Sequence, residues 1–315
     1  MKAIICAKYG PPEVLHLKEV AKPTPMDNEV CIRVHATAVT ASDIFIRGSQ
    51  IPIQYWIPMR LMIGLTKPRK SIIGLVLAGE IESVGTAIER FKPGDRVYGL
   101  TGFGLGAYAE YKCMQETDST HGCLALKPAN LTYEEATVAA YGGLLALQYT
   151  EKGNIQRGQK VLIYGASGTT GTTAVQFAKY LGAEVTAVSS TANLALAKSL
   201  GADRVIDYTK EDPLDPGEHF DFILDAVGKS KTSRLKRECK GALSLQGRYV
   251  SIDDGNLLLE AKRLDLMREL VEAGHIRPVI DRCYPLEEIV EAHRYVGKGH
   301  KRGGVAITVE HSDKA

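Results

Sequence analysis

The spacing of glycines within residues 160–171 constrains the fold of this chain more than any other feature. An apolar run at 160–164 leads directly into Gly165, Gly168 and Gly171, and a stretch with helical spacing follows. A strand, a tight glycine turn and a helix N-terminus together form a cradle for a pyrophosphate, because backbone N–H groups approach the phosphates and the helix dipole favours their charge. The spacing departs from the usual Gly-x-Gly-x-x-Gly pattern, so the prediction depends on this strand–turn–helix context.

The segments after the glycine turn repeat the alternation of strand and helix. Strands are predicted at 184–188, 204–207, 220–225 and 248–252, and a helix is predicted at 193–200. Such alternation predicts an α/β fold with a doubly wound parallel sheet covered by helices on both faces. Glycine turns also occur in α/β folds that bind no nucleotide, but the position of this turn between strand and helix favours a dinucleotide.

The end of the second predicted strand bears on which dinucleotide is bound. A site that prefers NAD usually has an acidic residue there, about 20 residues past the first glycine, that holds the ribose 2′-hydroxyl. This chain has Ser189, Ser190 and Thr191 instead, and no acid follows until Asp203. A carboxylate repels a 2′-phosphate whereas hydroxyls can donate hydrogen bonds to it, so we expect NADPH, although the nearest following cation is Lys198.

The first part of the chain, residues 1–127, has a different pattern. Short alternating strands punctuated by glycine are predicted at 30–39, 79–85, 94–99 and 107–112. This pattern is typical of an antiparallel or barrel-like β domain. A helical connector at 133–150 then leads into the nucleotide fold.

Composition excludes several classes of partner. The 315 residues carry a net charge of +2, which gives no reason to expect nucleic acid or an anionic membrane as a partner. The N-terminus enters an apolar strand without a signal-peptide core, and the apolar stretch 51–65 is too short and too rich in proline to span a membrane. We therefore expect a cytoplasmic protein that needs no membrane.

The cysteines give no sign of a disulfide framework or of a metal site. Six cysteines are scattered along the chain without a Cys-x-x-Cys pair, which suits a reducing compartment. Cys113, His121 and Cys123 cluster loosely but lack a fourth ligand at a useful spacing. We expect no bound metal.

The order of these segments resembles the medium-chain dehydrogenase/reductase superfamily, and within it the zinc-free quinone oxidoreductase-like branch. The resemblance covers nearly the whole chain in order, through segments 41–48, 73–85, 91–97, 141–147, 165–179, 199–203, 225–228, 274–281 and 284–296. It implies a GroES-like β-barrel catalytic domain at 1–127, completed by 275–315, and a Rossmann NADP-binding domain at 128–274. It also implies a homodimer with its active site in the cleft between the domains.

The resemblance further implies a reaction that needs no metal. The zinc-dependent branch of the superfamily binds catalytic zinc through a cysteine and a Gly-His-Glu motif, and this chain has Thr40, Leu75 and Val76 at those positions. Without a Lewis acid, alcohol oxidation is disfavoured, whereas hydride addition to a quinone or an α,β-unsaturated carbonyl needs only hydrogen bonds to the carbonyl oxygen. A small apolar carbonyl or quinone is therefore the expected substrate.

The candidate catalytic residues are Tyr55, Asp43 and Thr40. Tyr55 is equally well interpreted as a packing aromatic, and Asp43 as a residue that caps local structure. The cofactor-binding residues that the resemblance implies are Gly142, Gly143, Gly165, Ala166, Ser167, Gly168, Thr169, Thr170, Gly171, Ser189, Ser190, Tyr208, Ala226, Val227, Gly228, Ser251 and Ile252.

Three positions depart from the family pattern. Relatives often have Thr where this chain has Leu145, some have Lys where it has Ser190, and a frequent Gly-Lys near the C-terminus is replaced by Gly303 and Gly304. These departures predict looser selectivity for NADP. Two other functions stay open from the sequence: a non-catalytic NADPH-binding structural or regulatory protein, and a zinc alcohol dehydrogenase.

Overall fold

The computed structural model describes residues 1–48, 60–210 and 214–311. Its strands are β1 (Lys2–Cys6), β2 (Leu15–Glu19), β3 (Glu29–Val39), β4 (Val76–Val84), β5 (Arg96–Leu100), β6 (Tyr111–Gln115), β7 (Cys123–Leu126), β8 (Lys160–Tyr164), β9 (Glu184–Ser189), β10 (Arg204–Asp207), β11 (Phe220–Asp225), β12 (Leu243–Ser251), β13 (Ile280–Pro285) and β14 (Gly304–Thr308). The α-helices span Ala41–Gly48, Tyr133–Val138, Leu144–Glu151, Thr169–Tyr180, Leu194–Ser199, Arg234–Gly241, Ala261–Glu272 and Ile289–Gly297.

Strands β1 and β2 form a two-stranded antiparallel sheet, and a separate seven-stranded sheet combines strands β3 to β7 with the last two strands of the chain. Its order is β13-β14-β3-β4-β5-β7, and β6 pairs with the first part of β3. The second part of β3 pairs antiparallel with β14, which places the C-terminal strand beside the N-terminal ones. Ile32, Leu77 and Ile307 are fully buried in the apolar cluster that this sheet encloses.

The third sheet has five parallel strands in the order β10-β9-β8-β11-β12. Successive residues of β8 enter different apolar clusters, since Val161 and Ile163 belong to one and Leu162 and Tyr164 to the other. Both faces of the sheet are therefore covered, and the prediction of a doubly wound parallel sheet is confirmed. Strand order reverses at β8, which has β9 on one side and β11 on the other, and such a switch point opens a crevice at the carboxyl ends of the strands.

Two predicted elements differ from the structure. The predicted strand at 107–112 begins only at Tyr111, because the preceding backbone bonds to separate segments: Tyr108 N donates to Ile73 O and Glu110 N to Lys2 O. The predicted helix at 133–150 contains a π-helical turn, Ala139–Gly143. π-Helical turns are rare overall, and those that occur are often found at functional sites.

No helix of the described ranges has the length and apolar character that crossing a bilayer requires.

Candidate cofactor and substrate site

The glycine turn lies at the switch point of the parallel sheet. β8 ends at Tyr164, and Gly165 then adopts a left-handed conformation with φ of +84°. Its N–H and that of Ala166 both donate to Val188 O of β9, at 3.0 and 3.1 Å. The helix Thr169–Tyr180 begins directly after this turn, so its N-terminus faces the crevice at the carboxyl ends of the strands.

The three glycines of the turn have different surroundings. At Gly165 the positive φ favours glycine, and at Gly171 an added Cβ would lie 2.2 Å from Gly165 O, so only glycine lets the helix pack this closely. At Gly168 an added Cβ would make one ordinary van der Waals contact, 3.6 Å from Gly165 O, and no other described atom lies within 4 Å of it. The first N–H groups of a helix have no partner within it, and no side chain caps this one. The turn therefore fits a dinucleotide pyrophosphate.

An asparagine that sequence analysis missed ties the turn to the second strand. Asn193 is buried, and its Nδ2 donates to Ser167 Oγ and to Ser190 Oγ, each at 3.2 Å. Ser189 is buried at the end of β9, and Ser190 is partly exposed beside it. Sequence gave only a weak signal for Asn193, because a side-chain amide at the start of a helix is usually a cap.

Two acidic residues lie at opposite ends of the strand pair β9–β10, Asp203 beside Val185 and Asp207 beside Ser189. Asp203 accepts hydrogen bonds from Lys179 Nζ at 2.7 Å and from Val185 N at 2.6 Å, so its carboxylate is engaged away from the glycine turn. Asp207 was overlooked, although it pairs in register with Ser189. Its carboxylate accepts from Thr191 Oγ1 at 2.5 Å and from Thr209 N at 2.9 Å, while the neighbouring Tyr208 is exposed.

A buried carboxylate shapes the loop after β11. Asp225 is fully buried and accepts from the backbone N–H groups of Val227 and Gly228, at 3.1 and 3.2 Å. It also forms an ion pair with Lys236 Nζ at 2.7 Å and accepts a hydrogen bond from Ser251 Oγ at 3.3 Å. Residues 226–228 and 251–252 thus lie together at the carboxyl edge of the sheet, beside the glycine turn.

Thr40 and Asp43 form one tightly bonded unit. Thr40 donates from both N and Oγ1 to Asp43 Oδ2, at 2.8 and 2.6 Å. Asp43 is fully buried, and this burial raises the pKa of its carboxyl to about 6 even though the hydrogen bonds from Thr40 oppose the shift. Asp43 therefore orients Thr40 and the start of the helix Ala41–Gly48. Tyr55, the third candidate catalytic residue, lies outside the described residues.

A tyrosine that sequence analysis did not select lies beside this unit. The hydroxyl of Tyr141, in the π-helical turn, is 2.9 Å from Ser42 Oγ, and burial raises the pKa of Tyr141. The next residue, Gly142, packs on the first residue of the long helix, because an added Cβ would lie 2.7 Å from Thr169 O. Tyr141 therefore lies between the Thr40 segment and the glycine turn.

The positions that carry zinc ligands in the zinc-dependent branch have no metal ligands here. Val76 is fully buried in β4, and its carbonyl accepts from Thr37 Oγ1 at 2.6 Å. Across the described ranges, no group of three or more His, Cys, Asp and Glu side chains is placed to hold a metal ion.

The segment before the last strand also reaches the glycine turn. Gly303 N donates to Ser167 O, and Thr169 Oγ1 donates to Gly303 O, each at 2.8 Å. Lys301 Nζ donates to Thr169 Oγ1 and, at 2.6 Å, to Gly303 O. Sequence analysis missed Lys301 because it is separated from the turn by more than 130 residues.

Known domain families match the chain in three segments. Residues 26–125 match the family described as "Alcohol dehydrogenase GroES-like domain". Residues 169–253 and 255–307 match two families that are both described as "Zinc-binding dehydrogenase". The predicted combination of a GroES-like domain with a Rossmann-type parallel sheet is confirmed.

Whole-length relatives and solved structures agree with these matches. The chain is 32% identical to 2-methylene-furan-3-one reductase of Solanum lycopersicum, over 98% of this chain and 79% of that protein. It is 29% identical to the chloroplastic NADPH-dependent alkenal/one oxidoreductase of Arabidopsis thaliana, with coverage of 98% and 79%. The quinone oxidoreductase structure from Coxiella burnetii superimposes with a TM-score of 0.82 at 28% identity, covering 98% of this chain and 99% of the other. The chain belongs to the medium-chain dehydrogenase/reductase superfamily.

Proposed function

We propose that this protein is an oxidoreductase that uses NADPH to reduce quinones or α,β-unsaturated carbonyls, without a catalytic metal. The observation that carries the proposal is the uncapped N-terminus of Thr169–Tyr180, where an added Cβ at Gly168 would make only one ordinary contact. Relatives named as enone, alkenal and quinone reductases support the substrate class.

The cofactor is expected to lie along the carboxyl edge of the parallel sheet. The first N–H groups of the helix Thr169–Tyr180 would hold the pyrophosphate. Ser189, Ser190 and Tyr208 would surround the adenosine ribose, while residues 226–228, 251–252 and 142–143 would line the path toward the nicotinamide. Preference for NADP is supported by these hydroxyls, and the carboxylate of Asp207 beside Ser189 is held by hydrogen bonds from Thr191 Oγ1 and Thr209 N.

The chemistry that this chain supplies is orientation and proton transfer. When bound, the reduced nicotinamide supplies a hydride to the electron-poor carbon of the substrate. Burial raises the pKa of Tyr141, so its hydroxyl stays protonated and can donate a hydrogen bond to the substrate oxygen; it would release its proton only when hydride addition makes that oxygen strongly basic. Ser42 Oγ, 2.9 Å away, holds that hydroxyl in place, and Asp43 fixes Thr40 beside it.

Independence from zinc is part of the proposal. Leu75 and Val76 have no metal-coordinating atoms in their side chains, and the only oxygen ligand at these positions, the Thr40 hydroxyl, is bonded to Asp43. Elemental analysis of the purified protein tests this directly. Stoichiometric zinc, together with activity lost on chelation, would contradict it.

The assembly and location are proposed as well. We propose two domains, 1–127 with 275–315 and 128–274, in a cytoplasmic homodimer; the six free cysteines suit a reducing compartment. Light scattering after size exclusion measures the oligomeric state, and cell fractionation measures the location. A monomer, or a protein recovered in an organelle, would contradict these points.

The activity is tested by mixing the purified protein with NADPH and a panel of quinones, enones and enals. We expect absorbance at 340 nm to fall with at least one class of acceptor, and NADH to serve less well than NADPH. Saturable NADPH binding without turnover of any acceptor would instead favour a non-catalytic NADPH-binding protein.

A further inference from the structure

A lysine from the segment before the last strand reaches the N-terminus of the helix Thr169–Tyr180, which we call the cofactor helix. Lys301 Nζ donates to Thr169 Oγ1, on the first residue of that helix, and to Gly303 O at 2.6 Å. An ammonium group has three N–H donors, and the described residues provide acceptors for two of them. For the third donor, the described residues provide no acceptor.

Without a bound ligand, the positive charge of Lys301 has little compensation from nearby negative charges. Burial of the ammonium group lowers the pKa of Lys301 to about 8, and the nearby carboxylate of Asp281 opposes this shift only in part. Asp281 Oδ2 itself accepts hydrogen bonds from Tyr295 Oη at 2.5 Å and from Arg302 N at 3.0 Å. The first residues of the cofactor helix, Thr169 and Thr170, are uncharged. An anion at the turn would therefore stabilise the protonated lysine.

Three other cations of the parallel-sheet region are engaged by carboxylates. They are Lys179 with Asp203, Lys236 with Asp225, and Arg204 with Glu218, at N–O distances of 2.7, 2.7 and 2.6 Å. Lys301 differs, because both of its hydrogen bonds go to neutral oxygens. Among the described residues, Lys301 is the cation at the turn whose hydrogen bonds include no carboxylate.

We propose that Lys301 binds the pyrophosphate of the dinucleotide at the N-terminus of the helix Thr169–Tyr180. This inference rests on the proposed function, since it assumes that a dinucleotide binds at this turn. Both NADPH and NADH carry the pyrophosphate, so Lys301 contributes equally to their affinities and does not select between them.

The test compares Lys301→Met with Lys298→Met by fluorescence titration of NADPH and of NADH. Lys298 is an exposed lysine three residues away, which makes it a matched control. In Lys301→Met, loss of one charge-assisted hydrogen bond is expected to weaken the binding of both cofactors by about 10- to 100-fold. The ratio of the NADPH and NADH dissociation constants should not change. Lys298→Met should bind within about twofold of the wild type.

Two further measurements separate binding from a structural role. In the wild type, affinity should fall as the pH rises through about 8, because the ammonium loses its proton, and this dependence should flatten in Lys301→Met. Thermal unfolding without cofactor should show both variants folded. Unchanged affinity in Lys301→Met, or a loss confined to NADPH, would overturn the inference while leaving the proposed function intact. Failure of the wild type to bind either dinucleotide would overturn the proposed function itself.

Discussion

Two glycine-to-alanine substitutions in the same turn should have opposite effects on folding and on cofactor binding. At Gly171 an added Cβ would lie 2.2 Å from Gly165 O and 2.8 Å from Ala166 Cα, and both are backbone atoms that cannot rotate away. At Gly168 the nearest atom would be 3.6 Å away, and φ of −78° is open to alanine. The pair therefore separates the packing role of one glycine from the binding role of the other.

The magnitudes follow from these contacts. Overpacking at Gly171→Ala should cost about 1–3 kcal/mol of unfolding free energy. The higher helix propensity of alanine offsets up to ~1 kcal/mol of this, so we expect a net loss of about 1–2 kcal/mol. At Gly168→Ala the poorer N-cap costs about 0.5–1 kcal/mol, and the stiffer unfolded chain returns about 0.4–1 kcal/mol, so stability should hardly change.

Cofactor binding should weaken most in Gly168→Ala, the variant whose stability should hardly change. A methyl group at residue 168 would lie beside the uncapped helix N-terminus, where the pyrophosphate is proposed to bind. Loss of one charge-assisted hydrogen bond to a phosphate corresponds to about 1.5–3 kcal/mol, or roughly 10- to 100-fold in Kd. We therefore expect Gly168→Ala to be as stable as the wild type and to bind NADPH at least tenfold more weakly.

Urea unfolding measures the stability of each variant. Quenching of intrinsic fluorescence, or enhancement of NADPH emission, measures its affinity for NADPH. Gly158→Ala serves as a control substitution away from the turn. No atom lies within 4 Å of its added Cβ, and its φ of +81° predicts backbone strain only at that residue. If Gly168→Ala bound NADPH within twofold of the wild type, the pyrophosphate would not lie at this turn. Unchanged stability of Gly171→Ala would show that the helix can move away from the strand at little cost.

Three other substitutions test the remaining parts of the site. Tyr141→Phe should lower kcat by about 10²- to 10⁴-fold in steady-state assays while the Kd of NADPH stays the same, because only the proton donor is removed; an unchanged kcat would exclude Tyr141 from proton transfer. Asn193→Ala should weaken NADPH binding by roughly fivefold in titrations, since it removes the hydrogen bonds that link Ser167 to Ser190; wild-type affinity would refute that link. Asp43→Asn should become more stable relative to the wild type as the pH rises from about 4 to about 6: the folded-state pKa of about 6 lies above the unfolded value of 3.8, so the wild type loses up to about 3 kcal/mol across that window. Parallel unfolding curves of both proteins at all pH values would contradict this.

Local sequence was sufficient to predict the glycine turn and the parallel sheet. The strand, the glycines and the helix of residues 160–180 are contiguous, so their backbone requirements are visible in the residue types themselves. The same holds for the strands β9, β10 and β11, whose apolar runs are short and bounded by polar segments. Even the departure from the usual glycine spacing preserved three features, a positive φ at Gly165, an uncrowded position at Gly168 and close packing at Gly171.

The side chains that complete the site could not be predicted in this way. Tyr141 meets Ser42 across 99 positions, and Lys301 meets Thr169 across 132. Asn193 and Asp207 have ordinary local roles in the sequence, as a helix start and a strand end, and only the pairing of β9 with β10 brings Asp207 beside Ser189.

The sequence by itself determined the two kinds of sheet, the glycine turn and the residue types at Thr40, Leu75 and Val76, because each depends on the types of residues that are neighbours in the chain. Tertiary structure alone decided which hydroxyl faces the Thr40 segment and which lysine reaches the cofactor helix. The physical reason is that hydrogen bonds and charges act over a few ångströms in space, and the distance along the chain places no limit on which groups meet.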